Sequence, residues 1–323
     1  MPKLLEANDI VKTYYVKSEK GFFKKVPFTA LGGVSISLEE GKTLGLIGES
    51  GCGKSTLGQI IARLLEPDSG EVCLEGVNLL EKNAPFNRHA IQMVFQDPGG
   101  ALNPGHRLAW ILHEALRAKK VKTAAERDKI IREIMPKVGL GEDYLTRYPH
   151  ELSGGQKQRV AILLALLMEP RLIVADEVVS ALDVSVRSQI LNLLLDLQKS
   201  FGVSYLFISH DLNIVYYMSH DIAVMYLGDI MELGSADTVY HHGRHPYTQL
   251  LLSSSLDYEG AGGVSLVESA GDIMGRVHTG TGCRFAGRCP HTKDICKSVK
   301  PDFAQVQEGH FVRCHLAHED LAR

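Results

Sequence analysis

The spacing of hydrophobic and polar residues predicts strands at the start of the chain. Apolar and polar positions alternate along residues 4–12 and 31–38, a pattern that favours antiparallel strands. The stretch between them, residues 18–27, is polar, basic and aromatic, and it predicts an exposed loop. We therefore expect an antiparallel β subdomain at the N-terminal side.

Strand and helix signals alternate in two later parts of the chain. Three short apolar runs have the length of buried strands: Thr43–Ile47, Leu172–Ala175 and Val203–Ser209. Helical spacing over Val184–Leu197 separates the second and third runs by the distance that a parallel crossover needs. This alternation predicts an α/β core.

Residues from about 103 to 150 have a pattern different from that of the core. Leu108–Leu116 and Ala124–Val138 predict two helices within this stretch, which therefore forms a helical subdomain inserted into the core. After residue 234 the periodicity weakens, and the Gly-Ala-Gly-Gly segment at 260–263 predicts a linker. We expect one domain over residues 1–258 and a C-terminal extension over 259–323.

Composition and charge restrict the partners. The chain has 323 residues, 45% hydrophobic and 23% charged, which is ordinary for a globular protein. A formal charge of −3 gives no electrostatic reason to expect a nucleic-acid partner. The longest apolar run, Val160–Met168, is shorter than the roughly 20 residues of a membrane helix, and the first residues lack the apolar segment of a signal peptide. We expect a cytoplasmic chain whose membrane role comes through partner proteins.

A phosphate-binding loop lies between the first core strand and a helix. Its pattern is G-x-x-x-x-G-K-[ST], in which glycines let the backbone N–H groups point at phosphates and the following helix adds positive potential. Lys54 would reach the β- and γ-phosphates of ATP, and the Ser55 hydroxyl would coordinate Mg²⁺. The residues of the loop are Gly48, Glu49, Ser50, Gly51, Cys52, Gly53, Lys54, Ser55 and Thr56.

Two acids end the second core strand. Asp176 has the position of a carboxylate that holds Mg²⁺, and Glu177 would point at the γ-phosphate and polarise the attacking water. The alternative is a solvated turn with two acidic residues. The phosphate-binding loop some 120 residues upstream favours the catalytic interpretation.

A second helix start also has the features of an anion site. Ser153, Gly154 and Gly155 precede the periodic stretch Gln158–Met168, so backbone N–H groups and the helix dipole would attract a phosphate. Two phosphate-binding surfaces on one chain make sense if two cassettes pair head to tail. The alternative is a serine N-cap followed by a flexible pair of glycines.

The order of these motifs resembles the ATP-binding-cassette (ABC) ATPases over residues 4–235. The resemblance implies a P-loop NTPase core with an antiparallel β subdomain, an inserted helical subdomain and, here, a small cysteine-rich extension. Leu152–Gln156 would then be the signature motif, in which Ser153, Gly154, Gly155 and Gln156 bind the nucleotide. Ser180–Asp183 would be the D-loop, with Asp183 near the nucleotide. We identify four catalytic residues: Lys54, Gln96, Glu177 and His210.

The same resemblance assigns individual roles. Gln96 corresponds to the Q-loop glutamine, which contacts Mg²⁺ and the water, and His210 to the switch histidine at the γ-phosphate. Tyr14 corresponds to the aromatic residue that stacks on adenine, with Tyr15 as its competitor. Val178 departs from the family, which usually has proline after the catalytic glutamate. Proline would hold Glu177 extended, and valine lacks that restriction.

Four of the six cysteines crowd the C-terminal extension, which in a cytosolic chain favours metal over disulfides. Four thiolates can hold zinc or an iron–sulfur cluster. The spacing lacks the tight pairs typical of structural zinc and suits a bulkier cluster, although thiols without any ligand are a further alternative. The sequence is Cys283-x5-Cys289-x6-Cys296-x17-Cys314.

Four segments narrow the resemblance to the oligopeptide/dipeptide importer branch: residues 150–156, 180–185, 245–248 and 282–290. The branch implies a peripheral protein at the cytoplasmic face of the membrane, with a sister ATPase subunit, two permease subunits and an extracytoplasmic binding protein. It also implies a [4Fe–4S] cluster on the four cysteines. Importers of nickel chelates and glutathione belong to the same branch and are alternatives.

Two other classes of function are alternatives to a transport ATPase. A soluble ABC ATPase of translation or DNA repair would carry two cassettes or long coiled-coil arms, and neither is present in this sequence. A cluster-assembly ATPase would have no obvious need for its own four-cysteine tail. A regulatory module that binds ATP without hydrolysing it is disfavoured by the intact Lys54, Asp176, Glu177 and His210.

Overall fold

A computed structural model describes residues 2–17, 25–81, 84–254 and 281–319. Twelve strands and eleven α-helices are present in these ranges. In chain order they are β1 (Lys3–Lys17), β2 (Lys25–Glu39), β3 (Thr43–Ile47), α1 (Lys54–Ile61), β4 (Ser69–Leu74), β5 (Val77–Asn78), β6 (Ile91–Val94), α2 (Pro98–Ala101), α3 (Leu108–Ala118), α4 (Ala124–Ile134), α5 (Gly154–Leu167), β7 (Leu172–Asp176), α6 (Val184–Phe201), β8 (Ser204–Ser209), α7 (Leu212–Met218), β9 (Asp221–Tyr226), β10 (Asp229–Ser235), α8 (Ala236–His242), α9 (Pro246–Ser254), α10 (Asp294–Ser298), β11 (Ala304–Gln307), β12 (His310–Val312) and α11 (His315–Glu319). Short 3-10 helices cover Met135–Val138, Glu142–Thr146 and Pro149–Glu151.

The chain divides into two compact units. The first, here called the P-loop unit, comprises Pro2–Leu38, Thr43–Ala84 and Ile208–Arg323. The second, called the helical unit, comprises Glu39–Lys42 and Pro85–Phe207. Strand β8 has residues in both ranges.

The P-loop unit contains an antiparallel sheet in the order β2-β1-β4-β5. Leu5 is opposite Leu74, and Ala7 is opposite Val72, so buried side chains of both strands share one face. The register shifts between Asn8 and Val11. Such a bulge bends the strand and increases its twist.

The P-loop unit also carries strands of the larger sheet in the order β11-β12-β10-β9-β3. All five residues of β3 are buried, and β3 runs parallel to β9 with Leu44 opposite Asp221. This continuous burial explains why β3 is an unbroken apolar run. Strands β9, β10, β12 and β11 pair antiparallel in succession. The C-terminal extension therefore adds two strands to the edge of this sheet.

The helical unit combines parallel strands with amphipathic helices. Strand β6 pairs with β7, Val94 being opposite Ala175. Helix α3 buries residues at helical spacing, and Thr123 is the N-cap of α4, its hydroxyl accepting a hydrogen bond from Glu126 N. The buried residues of α3 are Leu108, Ile111, Leu112 and Leu116.

These elements confirm the α/β class and the antiparallel β subdomain. The helices predicted at 108–116 and 124–138 are α3 and the succession of α4 and a 3-10 turn. Two boundaries differ, because α5 begins at Gly154 and residues 25–27 belong to β2 instead of a loop. Residues 18–24, the predicted linker at 260–263 and the boundary at 258–259 lie outside the described residues. Among the described helices, none has the length and apolar character to cross a membrane.

Candidate functional site

The phosphate-binding loop of the P-loop unit depends on glycines at positions with no room for a side chain. A Cβ on Gly48 would lie 2.1 Å from the carbonyl oxygen of Met225, and one on Gly53 would lie 2.5 Å from that of Ala30. Gly51 and Gly53 have φ angles of +77° and +111°, which residues with a side chain rarely adopt. The loop therefore turns tightly from β3 into α1, as the motif predicts.

Lys54 is the buried cation of this loop. Its side chain folds back over the turn, and Nζ donates hydrogen bonds to Gly48 O at 2.6 Å and to Glu49 O at 3.0 Å. Both acceptors are uncharged carbonyls, so the ammonium keeps its positive charge available for an anion. Ser55 lies in the first turn of α1 behind it. Cys52 packs beneath the loop, and burial raises the pKa of its thiol.

Glu49 is held by residues far away in the sequence. Its N–H donates to the Tyr247 hydroxyl at 2.9 Å, and its carboxylate pairs with Arg288 Nη1 at 2.8 Å. Tyr247 is fully buried, and burial raises the pKa of its phenol well above the usual value. The phosphate-binding loop is thus attached to α9 and to the C-terminal extension.

Two further predicted site residues lie in the P-loop unit. His210 is exposed directly after β8, between the buried Ser209 and Asp211. The Asp211 carboxylate caps α7 by accepting from Asn213 N and Ile214 N, so the position of His210 is set by a helix start. Tyr14 is half-buried in β1, and the next residue, Tyr15, is 69% exposed.

The predicted acids lie in the helical unit at the carboxyl edge of β6 and β7. Asp176 is the buried last residue of β7, and Glu177 follows it. Gln96 is exposed two residues after β6. Because β6 and β7 are parallel neighbours, Gln96 and Glu177 leave the sheet at the same edge. The structure therefore brings these two predicted residues to one side of this unit.

The turn after β7 has an unusual backbone. Glu177 has a φ of +49°, in the left-handed region, and so it lacks the extended conformation that a following proline would impose. Ser180 holds this turn, since both its N–H and its hydroxyl donate to Glu177 O, at 3.1 Å and 2.9 Å. Val178 is buried beside it. Ser180 thus fixes where the catalytic candidate Glu177 leaves the strand.

The predicted signature segment is an exposed helix start. Ser153 caps α5: its hydroxyl accepts from Gln156 N, and Ser153 N donates to Gln156 Oε1 at 2.9 Å. A Cβ on Gly155 would lie 2.5 Å from Val186 Cγ1, which explains the second glycine. Asp183 is exposed at the start of α6, and its side chain makes no capping bond there. Both segments present polar groups to solvent.

The four clustered cysteines line one cavity in the P-loop unit, together with His245, His291 and His315. Cys283 N donates to Cys296 O at 2.7 Å, which joins the two cysteine-bearing segments. Burial, and then the neighbouring thiols, raise the pKa of Cys283 to about 11. Among the described residues, no three cysteine, histidine or acidic side chains have an arrangement that could hold a metal ion. The four cysteines that line the cavity are Cys283, Cys289, Cys296 and Cys314.

Three contributors to the site are absent from the sequence-based set of site residues. Tyr247 and Arg288 hold Glu49, and Ser180 holds the turn at Glu177. The segments that contain them belong to the four stretches that resemble the importer branch. That signal marks the segments as family features but does not identify what each side chain contacts.

Comparisons with known proteins agree along nearly the whole chain. The ABC transporter family matches residues 31–180, and the oligopeptide/dipeptide transporter C-terminal region matches residues 231–296. The oligopeptide transport ATP-binding protein AppF of Bacillus subtilis is 43% identical, covering 97% of this chain and 97% of that protein. The dipeptide transport ATP-binding protein DppF of Escherichia coli is 41% identical, covering 98% and 95%.

Solved structures of cassette proteins are similar as well. The ATP-binding cassette MJ0796, solved as a dimer in a post-hydrolysis state with ADP and Pi, has a TM-score of 0.62 and 28% identity, covering 72% of this chain and 99% of that one. For cbiO1 of Clostridium perfringens, part of an ABC transporter complex, the TM-score is 0.60 and the identity 27%, covering 75% and 92%.

Proposed function

This chain belongs to the ATP-binding proteins of the oligopeptide and dipeptide ABC transporters, and from that premise we propose that it hydrolyses ATP to power the import of short peptides. The observation that carries this conclusion is the match to peptide-transport ATP-binding proteins over 97% of the chain, extension included. The C-terminal region is a feature of oligopeptide/dipeptide transporters and supports the peptide assignment. ATP hydrolysis follows from membership of the ABC ATPases.

In the proposed reaction, the P-loop backbone and Lys54 bind the phosphates of ATP. Ser55 and Asp176, with Gln96, are the residues that would hold Mg²⁺, which neutralises phosphate charge when bound. Ser55 at a helix start and the buried Asp176 carboxylate at a strand end offer the hard oxygen donors that Mg²⁺ prefers. Glu177 accepts a proton from the attacking water, and His210 donates to the γ-phosphate oxygens.

We further propose that the working unit contains two ATPase chains. The exposed Ser153 helix start and the exposed Asp183 have the polar groups that a partner's nucleotide would need. The partner chain is a sister subunit, and the pair acts on two permease subunits at the cytoplasmic face of the membrane. An extracytoplasmic binding protein delivers the peptide. The absence of a membrane-spanning helix among the described helices fits a peripheral subunit.

Gentle capture of the tagged full-length chain from detergent-treated membranes tests this assembly. We expect permease subunits and a second ATP-binding chain in the captured complex, identified by mass spectrometry. A complex that contains soluble proteins alone, from cells that express the permease genes, would contradict the importer assignment. A transport assay of the captured complex with peptides, nickel chelates and glutathione distinguishes peptide import from the two alternatives within the branch.

The cysteine cavity is the proposed site of a [4Fe–4S] cluster, although its four thiols are not grouped as metal ligands in this structure and would have to approach one another to hold it. Four thiols lining one cavity are a donor set that suits iron–sulfur clusters or zinc, and the wide spacing of the cysteines along the chain favours the cluster. Cys283, Cys289, Cys296 and Cys314 would hold it, and it would cross-link the segments of the extension that contain them. No step of ATP hydrolysis depends on it.

Iron, sulfide and zinc analysis of anaerobically purified protein tests the cysteine proposal. We expect about four irons per chain and an absorbance band near 400 nm, because one [4Fe–4S] cluster contains four iron atoms bound to sulfide and thiolate. Stoichiometric zinc without iron, or protein without any metal, would contradict the cluster while leaving the ATPase assignment intact.

A further inference from the structure

The phosphate-binding loop contains a negative charge at a place where a polyanion binds. Glu49 is the second residue of the loop, and its carbonyl oxygen is 3.0 Å from Lys54 Nζ, the cation that the phosphates need. An unpaired carboxylate in this loop would repel the triphosphate through the same Coulomb interaction that attracts it to Lys54. ATP binding therefore favours a way to neutralise Glu49.

Arg288 of the C-terminal extension provides this neutralisation. Its Nη1 lies 2.8 Å from Glu49 Oε1 and 2.9 Å from Oε2, so one guanidinium nitrogen is shared by both carboxylate oxygens. The two side chains are 32% and 30% exposed, which leaves the pair partly shielded from water. Partial burial makes the Coulomb attraction stronger than in a fully solvated pair.

Aromatic side chains fix the position of Arg288. Its guanidinium lies over the rings of Tyr226 and Phe285, at 5.7 Å and 5.9 Å from the centroids. Phe285 packs at right angles to Tyr226 and contacts Tyr247, with centroid distances of 5.2 Å and 5.4 Å. Tyr247 in turn accepts the hydrogen bond from Glu49 N. The backbone and the side chain of Glu49 are thus tied to one aromatic group.

We propose that Arg288 is a positioning residue for ATP binding, which acts by neutralising and orienting Glu49 of the phosphate-binding loop. The proposal rests on the proposed ATPase function and extends it to a residue of the cysteine-rich extension. Arg288 would act on the nucleotide through Glu49 and would not contact it directly. The loop from Cys283 to Cys289, which contains Phe285 and Arg288, is then part of the nucleotide site instead of a separate appendage.

A charge-rescue experiment on the full-length chain tests the proposal. Arg288→Gln removes the compensating charge, and we expect the KM for ATP to rise about tenfold with kcat changed less than about twofold, since the repulsion weakens binding of the ground state and of the transition state equally. In Glu49→Gln/Arg288→Gln the repelling charge is also gone, and KM returns to within about threefold of the wild-type value. Lys297→Gln is the matched control, because it removes one positive charge from an exposed pair of the same extension.

Two outcomes overturn the proposal. One is an unchanged KM in Arg288→Gln. The other is a double variant whose KM for ATP is as high as that of Arg288→Gln, which would show that Arg288 acts only on folding of the extension. Thermal unfolding of each variant monitors that folding directly. A wild-type chain that neither binds nor hydrolyses ATP would instead refute the proposed function, so the two failures are distinguishable.

Discussion

At the scale of single residues, Glu177, the proposed general base, has a rarely occupied backbone conformation. A φ of +49° costs free energy for a residue with a side chain, and such strain persists where the surroundings impose it. Here the two donor groups of Ser180 and the buried Val178 fix the turn. These contacts hold the backbone of Glu177, the proposed general base, in a conformation other than extended.

Glu177→Gln tests the role of the carboxylate. The amide keeps the shape of the side chain but cannot accept a proton, so hydrolysis should fall by about 10²-fold or more while ATP still binds. Glu169→Gln is the control, since Glu169 also has a positive φ in the same unit but its carboxylate pairs with Lys119 at the surface. Phosphate release at the wild-type rate by Glu177→Gln would show that another group is the base.

Ser180→Ala tests the support of that carboxylate. Loss of the hydroxyl removes one of two hydrogen bonds to Glu177 O, so kcat should fall about five- to tenfold with KM unchanged. Ser188→Ala removes a comparable hydroxyl, which donates to Val184 O within α6, and should leave both constants within about twofold. Equal kcat values for the two variants would show that the Ser180 hydroxyl does not position Glu177.

Tyr14 and Tyr15 form a matched pair of variants on opposite faces of β1. Stacking of a base on an aromatic ring contributes about 1–3 kcal/mol, so Tyr14→Ala should raise the KM for ATP by about tenfold or more. Tyr15→Ala should leave it nearly unchanged. The reverse result would assign the adenine to Tyr15, whose larger exposure makes it the alternative.

At the scale of elements, β10 joins the core sheet to the extension through a buried polar group. Glu232 is fully buried, and its carboxylate accepts from Arg244 N, from His245 N and from His310 Nε2 of β12. Each contact satisfies a group that burial would otherwise leave without a partner. The start of α9, which provides Tyr247, is therefore aligned by the same carboxylate that holds strand β12.

His245 makes the stability of this region depend on pH. Burial lowers its pKa to about 4, below the unfolded value near 6.5. Between these two pH values the unfolded chain binds a proton at His245 and the folded chain does not. The contribution of neutral His245 to the free energy of unfolding is complete above pH 6.5 and is lost as the pH falls toward 4. The loss is about 2 kcal/mol at pH 5. Chemical unfolding of wild type and His245→Asn at pH 7.5 and pH 5 measures it. A wild-type loss no larger than that of the variant would contradict this assignment.

Features set by neighbouring residues were predictable from the sequence, and features set by distant pairs were not. The P-loop glycines, the Ser153 cap and the buried strands follow from short-range patterns that the structure reproduces. The contact between Glu49 and Arg288 joins residues 239 positions apart, and no periodicity encodes it. The left-handed Glu177 was also missed, because that conformation is expected of glycine or asparagine.

At the scale of the whole molecule, the predicted catalytic groups are divided between the two units. Lys54, Ser55 and His210 belong to the P-loop unit, whereas Gln96, Asp176 and Glu177 belong to the helical unit. The extension belongs to the P-loop unit and contacts the phosphate-binding loop through Arg288.

Under the proposed function, transported peptides raise the rate at which this chain hydrolyses ATP in the membrane complex. The most direct measurement is the ATPase rate of the captured complex in lipid vesicles, with its binding protein, before and after addition of di- to oligopeptides. We expect peptides to raise the rate several-fold, glutathione and nickel chelates to leave it unchanged, and Glu177→Gln to abolish the increase. A rate that no peptide changes, or that only glutathione or a nickel chelate raises, would contradict the account.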